Sequence, residues 1–345
     1  MSHAVLVRAL AIAAFSLSLG VVVLGAYVRL SNAGLGCPDW PGCYGHLTPA
    51  GAATDVRTAP TLLNGPPLNV GKAWREMMHR YAAGTLGMLI ATLAGIGIAW
   101  RRERIVSLTF LMVLLAIVML QAVLGMLTVT SRLKPLLVTL HLLFGFTTLS
   151  LLWWLVLSLW QRPKTFRPCA SAVDASRLVA ARGVALIALI VLSLQIALGA
   201  WTSSNYAAIA CPDLPTCQGD WWPPADFRPA YVLWHGSAVN YEGGILSSPA
   251  RVAIHLTHRF GAVVASLTTF LAALTAFQLR GDHSAHVGGV LLLATLALQL
   301  TIGISMVLLG FPLWLATLHN AGAALLLLVT LTLNRSLRPA AVALP

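Results

Sequence analysis

Five of the ten histidines lie in or beside long apolar stretches: His79, His141, His255, His258 and His319. An ionisable side chain inside an apolar helix is costly, and such residues are ordinarily kept there for function. The remaining five, His3, His46, His235, His283 and His286, fall at the chain start or in polar connections and need no special role. His79 lies near the outer end of one apolar run, and His141 lies four to six residues into another. At 1.5 Å per residue, that is a depth of roughly 6–9 Å. His258 and His319 repeat the arrangement further along the chain.

Imidazole is the commonest biological metal ligand, and two imidazoles at one depth on neighbouring helices can hold a flat macrocycle between them. Two matched pairs therefore point to two haem sites with histidine axial ligands. The plainer reading makes them buried histidines satisfied by hydrogen bonds, which is harder to sustain for a duplicated pair than for a single residue. Zinc or copper is a further alternative, but two histidines without nearby carboxylates or thiolates underfill those ions. The C-x-x-C-H attachment signature is absent, so any haem is held non-covalently.

Arg80 and Arg259 directly follow two of the ligand candidates, and Arg29 ends the first apolar run. A planar guanidinium beside a haem can pair with a propionate, and it can equally snorkel to lipid headgroups. The two halves differ at Glu76, three residues before His79, where the second half has His255 three residues before His258. Residues i and i+3 share a helix face, so Glu76 can overlook a ligand held by His79. A carboxylate there can move protons or stabilise positive charge, whereas a solvated acid at a helix start would do neither. The asymmetry implies that one site does chemistry and the other passes electrons.

The elements that must position these residues are membrane helices. The chain has 345 residues, of which 58% are hydrophobic and only 9% charged, with a mean hydropathy of +0.82. A soluble domain is roughly a quarter charged, so most of this chain faces lipid or protein. The net charge of +12 does not indicate nucleic acid, because the Lys and Arg residues sit in short caps between apolar runs. Runs long enough to cross a bilayer, about 20 residues, occur near 9–30, 77–100, 106–130, 136–160, 178–200, 252–279, 286–309 and 312–334. The first is too long for the core of a signal peptide and is expected to be retained.

Arg101, Arg102 and Arg104, then Arg162, Lys164, Arg167 and Arg177, fill two short loops on one side, which Arg8, Arg280, Arg335 and Arg338 share. Arg132 and Lys134 and two long loops, about 31–76 and 201–251, lie opposite. The positive-inside rule then makes both termini cytoplasmic and the long loops exoplasmic, periplasmic in a bacterium. Cys37 and Cys43 share one outer loop, Cys211 and Cys217 the other, and Cys169 stands alone inside. In an oxidising space the pairs Cys37–Cys43 and Cys211–Cys217 read as disulfides, with a four-cysteine zinc site as the alternative.

The chain also repeats itself. Leu24-Gly25-Ala26 recurs as Leu198-Gly199-Ala200, and the Cys37–Cys43 segment as Cys211–Cys217, both at an offset of 174 (199−25, 211−37). Gln121 with Gly125 recurs as Gln299 with Gly303, and Thr139-Leu140-His141 as Thr317-Leu318-His319, offset 178. His79-Arg80 recurs as His258-Arg259, offset 179. Each unit holds an even number of crossings, so both enter the membrane with the same polarity. The expected fold is an all-α integral membrane protein of eight transmembrane helices in two four-helix bundles, residues 1–165 and 166–345, related by a pseudo-twofold axis along the membrane normal.

Taken together, these residues resemble the haem A synthase family of bacterial and mitochondrial membranes, over nearly the whole chain. The outer-loop cysteines match the subgroup with a pair in each half. The resemblance implies oxidation of the C8 methyl of haem O to a formyl, for cytochrome oxidase assembly. It implies haem O as substrate on His79 and His141, a resident haem B on His258 and His319, and a catalytic part for Glu76. It also implies a bacterial inner-membrane location and, as partners, a haem O-producing enzyme and cytochrome oxidase subunits, with the electron acceptor and any homo-oligomer left open. The competing readings are a di-haem b-type carrier that oxidises quinol without altering its haem, and a haem-binding assembly factor of the oxidase.

Overall fold

The computed structural model describes residues 2–58, 68–103, 105–160, 172–236, 239–279 and 281–338. Among them lie ten α-helices: α1 (His3–Leu30), α2 (Pro49–Thr58), α3 (Val70–Ala99), α4 (Leu108–Thr130), α5 (Pro135–Trp160), α6 (Ala172–Ser204), α7 (Phe227–Ala230), α8 (Ser248–Phe277), α9 (His283–Leu308) and α10 (Leu313–Ser336). Eight are long and apolar enough to cross a membrane, and α2 and α7 are short pieces of the two long loops. Between 17% and 39% of the apolar window of each long helix is buried within the protein. The rest of each window is half-buried or exposed and apolar, as in helices that face lipid. The chain is a multi-pass membrane protein.

Several helices begin earlier than their apolar runs. α3 starts at Val70 rather than near residue 77, because the Asn69 side chain accepts the Lys72 N–H at 3.0 Å and caps the first turn. α8 starts at Ser248 with a proline in its first turn, and α9 starts at His283 behind an Asp282 cap on the Ala285 N–H. Hydropathy finds the stretch that touches lipid, whereas caps and backbone hydrogen bonds set where the helix ends. The correction moves His79 from a helix end to the tenth residue of α3, roughly 14 Å along it at 1.5 Å per residue. His141 and His319 are each the seventh residue of their helices, α5 and α10.

The long helices pack in two closed sets. α1 packs on α3 and α5, while α4 packs on α3 and α5; α6 packs on α8 and α10, while α9 packs on α8 and α10. The first set encloses a core that includes Val7, Ala14, Ile90, Leu93, Leu114 and Leu152. In the second, Ala181, Ala185 and Ala188 of α6 share a core with Ala272, Ala273 and Ala276 of α8. Small residues let helices approach closely, which matters in lipid because no hydrophobic force drives helices together there. α5 packs on α6 and α10, and α1 on α10, joining the sets. Polar links cross the same seam: Trp153 Nε1 donates to Thr332 Oγ1 at 2.9 Å, and Arg29 donates to the Ser203 carbonyl at 2.9 Å.

Candidate functional site

His79 and His141 come together between α3 and α5. Their ring centroids are 6.5 Å apart and their planes meet at 81°. Two metal–nitrogen bonds of about 2 Å each, with a ring radius added at both ends, come to roughly 6–7 Å. The pair is therefore spaced to take one metal between its imidazoles. His258 on α8 and His319 on α10 lie within each other's electrostatic reach.

Each histidine rests on a glycine of the facing helix. A methyl group placed on Gly25 of α1 would come within 2.8 Å of His79 Cε1. The equivalent distances are 3.1 Å from Gly125 of α4 to His141, 3.2 Å from Gly199 of α6 to His258 and 3.0 Å from Gly303 of α9 to His319. A ring can lie this close to a helix backbone only where no side chain intervenes. The repeated glycines were visible in the sequence, but nothing there linked them to the histidines. Their spacing from a preceding polar residue was the signal: Gln121, Gln195 and Gln299 each stand four residues, one turn, before their glycine. Gln121, Gln195 and Gln299 donate to the carbonyls of His141, His258 and His319 at 2.7, 3.0 and 3.1 Å.

The outer-loop cysteines are bonded in pairs, Cys37–Cys43 and Cys211–Cys217, which leaves no thiolates there for zinc. Cys169 lies outside the described residues. Each disulfide closes a small hairpin built on an aspartate. Asp39 accepts the Tyr44 and Gly45 N–H groups at 2.6 and 2.8 Å, and Asp213 accepts those of Gln218 and Gly219 at 2.6 and 3.0 Å. The Thr216 hydroxyl donates to Asp213 as well, and these hydrogen bonds hold its carboxyl below the usual range.

The arginines clamp these hairpins onto the helices. Arg80 donates to the Asp39 and Gly42 carbonyls at 2.9 and 2.6 Å. Arg259 does the same to the Asp213 and Thr216 carbonyls at 2.7 and 2.8 Å. Arg29 donates to the Ser203 and Ser204 carbonyls and lies over the Tyr206 ring, 4.2 Å from its centroid. Arg80 Nη1 and both Nη atoms of Arg259 are thus engaged with backbone, and Arg80 Nη2 pairs with Glu76. The Nε atoms of Arg29 and Arg259 are buried and have no hydrogen-bond partner.

Glu76 is buried at the junction of α3 and the first hairpin. One carboxylate oxygen accepts the Cys37 N–H at 2.9 Å and the other pairs with Arg80 at 2.5 Å. At the matching place in the second half, His255 is buried, lies 3.2 Å from the Ala207 carbonyl and stands edge-on to Phe311. The two halves therefore differ where the sequence differs, with a carboxyl group in one and an imidazole in the other.

The sequence profile of the cytochrome oxidase assembly protein family matches residues 8–331. The chain is 42% identical to a protein of Shewanella oneidensis named haem A synthase, over 91% of each chain. It is 28% identical to proteins of the same name from Beijerinckia indica, over 89% of this chain and 86% of that one, and from Shouchella clausii, over 83% and 81%. With its paired histidines, glycine seats and disulfide hairpins in place, the chain belongs to the cytochrome oxidase assembly protein family that includes the haem A synthases.

Proposed function

We propose that the protein is a haem A synthase that oxidises the C8 methyl of haem O to a formyl in a bacterial inner membrane. The observation that carries this reading is the pair His79 and His141, with rings 6.5 Å apart on glycine seats. Residues 1–165 form the substrate unit, in which His79 and His141 hold haem O. Residues 166–345 form the second unit, in which His258 and His319 hold a non-covalent haem B that supplies one-electron transfer. The two units are parallel repeats about an axis along the membrane normal, supported by the constant offsets and by the two closed helix sets. Both termini face the cytoplasm, a reading supported by the disulfides in both long loops.

The chain's own groups divide the work. His79 and His141 fix the substrate from both faces, and the apolar walls of α1, α3, α4 and α5 keep water from it. Turning a methyl into a formyl with water as the oxygen donor passes electrons to an external one-electron acceptor and releases protons, so a buried base beside the first pair would take up those protons. Glu76 fills that part, held by Arg80 and the Cys37 N–H in a fixed orientation. Haem O reaches the first pair from the enzyme that makes it, and the product leaves toward cytochrome oxidase subunits.

Extraction of the haems from purified protein tests the reading. Haem B accompanied by haem O, haem A or a partly oxidised form is expected. Haem B alone at two per chain, from cells that make haem O, would instead identify a di-haem electron carrier.

A further inference from the structure

Three arginines gather where α5 ends, at the membrane face opposite the disulfide hairpins. The guanidinium carbons of Arg335 and Arg338, at the end of α10, lie 4.5 and 4.4 Å from the centroid of one ring, that of Trp154 on α5. Arg8 of α1 lies 5.7 Å from the ring of Trp160, the last residue of α5. α5 packs against both α1 and α10, so the cluster straddles the seam between the two helix sets. Trp153, next to Trp154, bonds across that seam to Thr332. Trp154 and Arg335 are half-buried and Arg338 is exposed.

Ordinary snorkelling sends each long cationic side chain outward to water on its own path. Here two guanidiniums share one indole and lie within each other's electrostatic reach. Each gains from the negative face of the ring, and an anion placed beside both offsets their mutual repulsion. By the alternation of the eight crossings, this face carries twelve of the 22 Lys and Arg residues. Of the ten acidic residues it carries three, Glu103, Asp174 and Asp282. Glu103 pairs with His3 at 2.6 Å, and Asp282 caps α9.

Arg335 is the next-to-last residue of the 24-residue α10, which is about 36 Å long at 1.5 Å per residue. That exceeds a hydrocarbon core of about 30 Å, so the end of α10 stands among lipid headgroups. A guanidinium offers a planar fork of donors that matches phosphate oxygens, and basic pockets between helices at this level take phospholipid headgroups. We propose that Arg335 and Arg338, seated on Trp154, bind the phosphate of an anionic phospholipid at the seam of the two helix sets. The lipid ties α10 to α5, and so one set to the other. This site stands apart from the histidine pairs and does not depend on which haem they hold.

Native mass spectrometry of the full-length protein, stripped of lipid in neutral detergent, tests this. Phosphatidylglycerol, phosphatidylcholine and glycerol phosphate are titrated in turn, and the bound species are counted. Wild type should hold phosphatidylglycerol in preference to the other two. Arg335→Gln/Arg338→Gln should weaken phosphatidylglycerol binding about 30-fold, roughly fivefold for each charge at the membrane surface. Arg177→Gln/Arg182→Gln removes the same charge from α6 on the same face and should leave binding unchanged. Trp154→Leu keeps every charge but removes the shared ring. It should weaken binding about fivefold, and it carries the test if the paired glutamine variant does not fold. Equal affinity for phosphatidylglycerol and phosphatidylcholine overturns the proposal. So does an equal loss from the α6 pair, which would leave only the diffuse charge of the face. Glycerol phosphate binding as tightly as phosphatidylglycerol would assign the arginines to a soluble phosphate ester and overturn the lipid.

Discussion

The imidazole of His79 stands edge-on to that of His141 across 6.5 Å, each resting on a glycine of a different helix. The pair is assembled by α3 and α5 and seated by α1 and α4, so all four helices of the first set must be in register. The second pair is built from α8 and α10 on α6 and α9 in the same way.

The two pairs should therefore fail separately. His258→Ala or His319→Ala should deplete haem B. His79→Ala or His141→Ala should retain most haem B and abolish haem A. Chromatography of extracted haems, per chain of purified protein, reads both. Equal haem B loss in all four variants would contradict the division between the pairs.

The glycine seats make a graded prediction. At Gly25 an added methyl would sit 2.8 Å from His79 Cε1, too close for a carbon contact, and the ring must move. Displacing a reacting group by about 1 Å can cost on the order of 10²-fold in rate, so Gly25→Ala should nearly eliminate haem A. Gly199→Ala, at 3.2 Å, asks for a shift of only tenths of an ångström and should weaken haem B retention mildly. Gly84 of α3, with nothing within 4 Å, is the control. Alanine there should leave both haems alone. A Gly25→Ala protein with wild-type haem A output would show that the seat does not position the ring.

Much of this was legible in the sequence because it rests on long-range regularities. Eight apolar runs, two cysteine pairs and four histidines survive any uncertainty of a few residues in helix ends. What was hidden depended on side-chain direction. Arg80 and Arg259 read by adjacency as propionate contacts or headgroup anchors, and adjacency could not show that each also bonds hairpin carbonyls, since a guanidinium offers more donors than one partner can use. The first turns of α3 are too polar for a hydropathy window, and only the Asn69 cap reveals them as helix. Gln195 was overlooked because its one-turn spacing from Gly199 marks a shared helix face but not the histidine which that face meets.

The cysteines give a chemical test of topology as well as structure. Protein isolated without reductant should resist thiol reagents at Cys37, Cys43, Cys211 and Cys217, while Cys169 reacts. Mass mapping of the labelled peptides checks each position. Free thiol at Cys37 or Cys211 would refute the disulfides and weaken the placement of both long loops in an oxidising compartment.

Glu76 offers the sharpest test of mechanism, because its structural and chemical parts can be separated. The carboxylate accepts the Cys37 N–H and pairs with Arg80, so it fastens the first hairpin to α3. Glu76→Gln keeps an acceptor for Cys37 but loses the charge facing Arg80, and charge-assisted hydrogen bonds of this kind contribute about 1.5–3 kcal/mol. Arg80→Gln breaks the same pair from the other side and leaves the carboxylate in place. If Glu76 only fastens the hairpin, the two variants should lose similar haem A output and similar thermal stability. If it also takes protons from the substrate, Glu76→Gln should lose about 10²–10⁴ in rate, well beyond Arg80→Gln at matched stability. It should also keep haem B and accumulate haem O or a partly oxidised haem. Haem A per chain, measured with the melting temperature of each variant, decides between them. Near-normal haem A from Glu76→Gln would remove Glu76 from the chemistry and leave it as the hairpin's anchor.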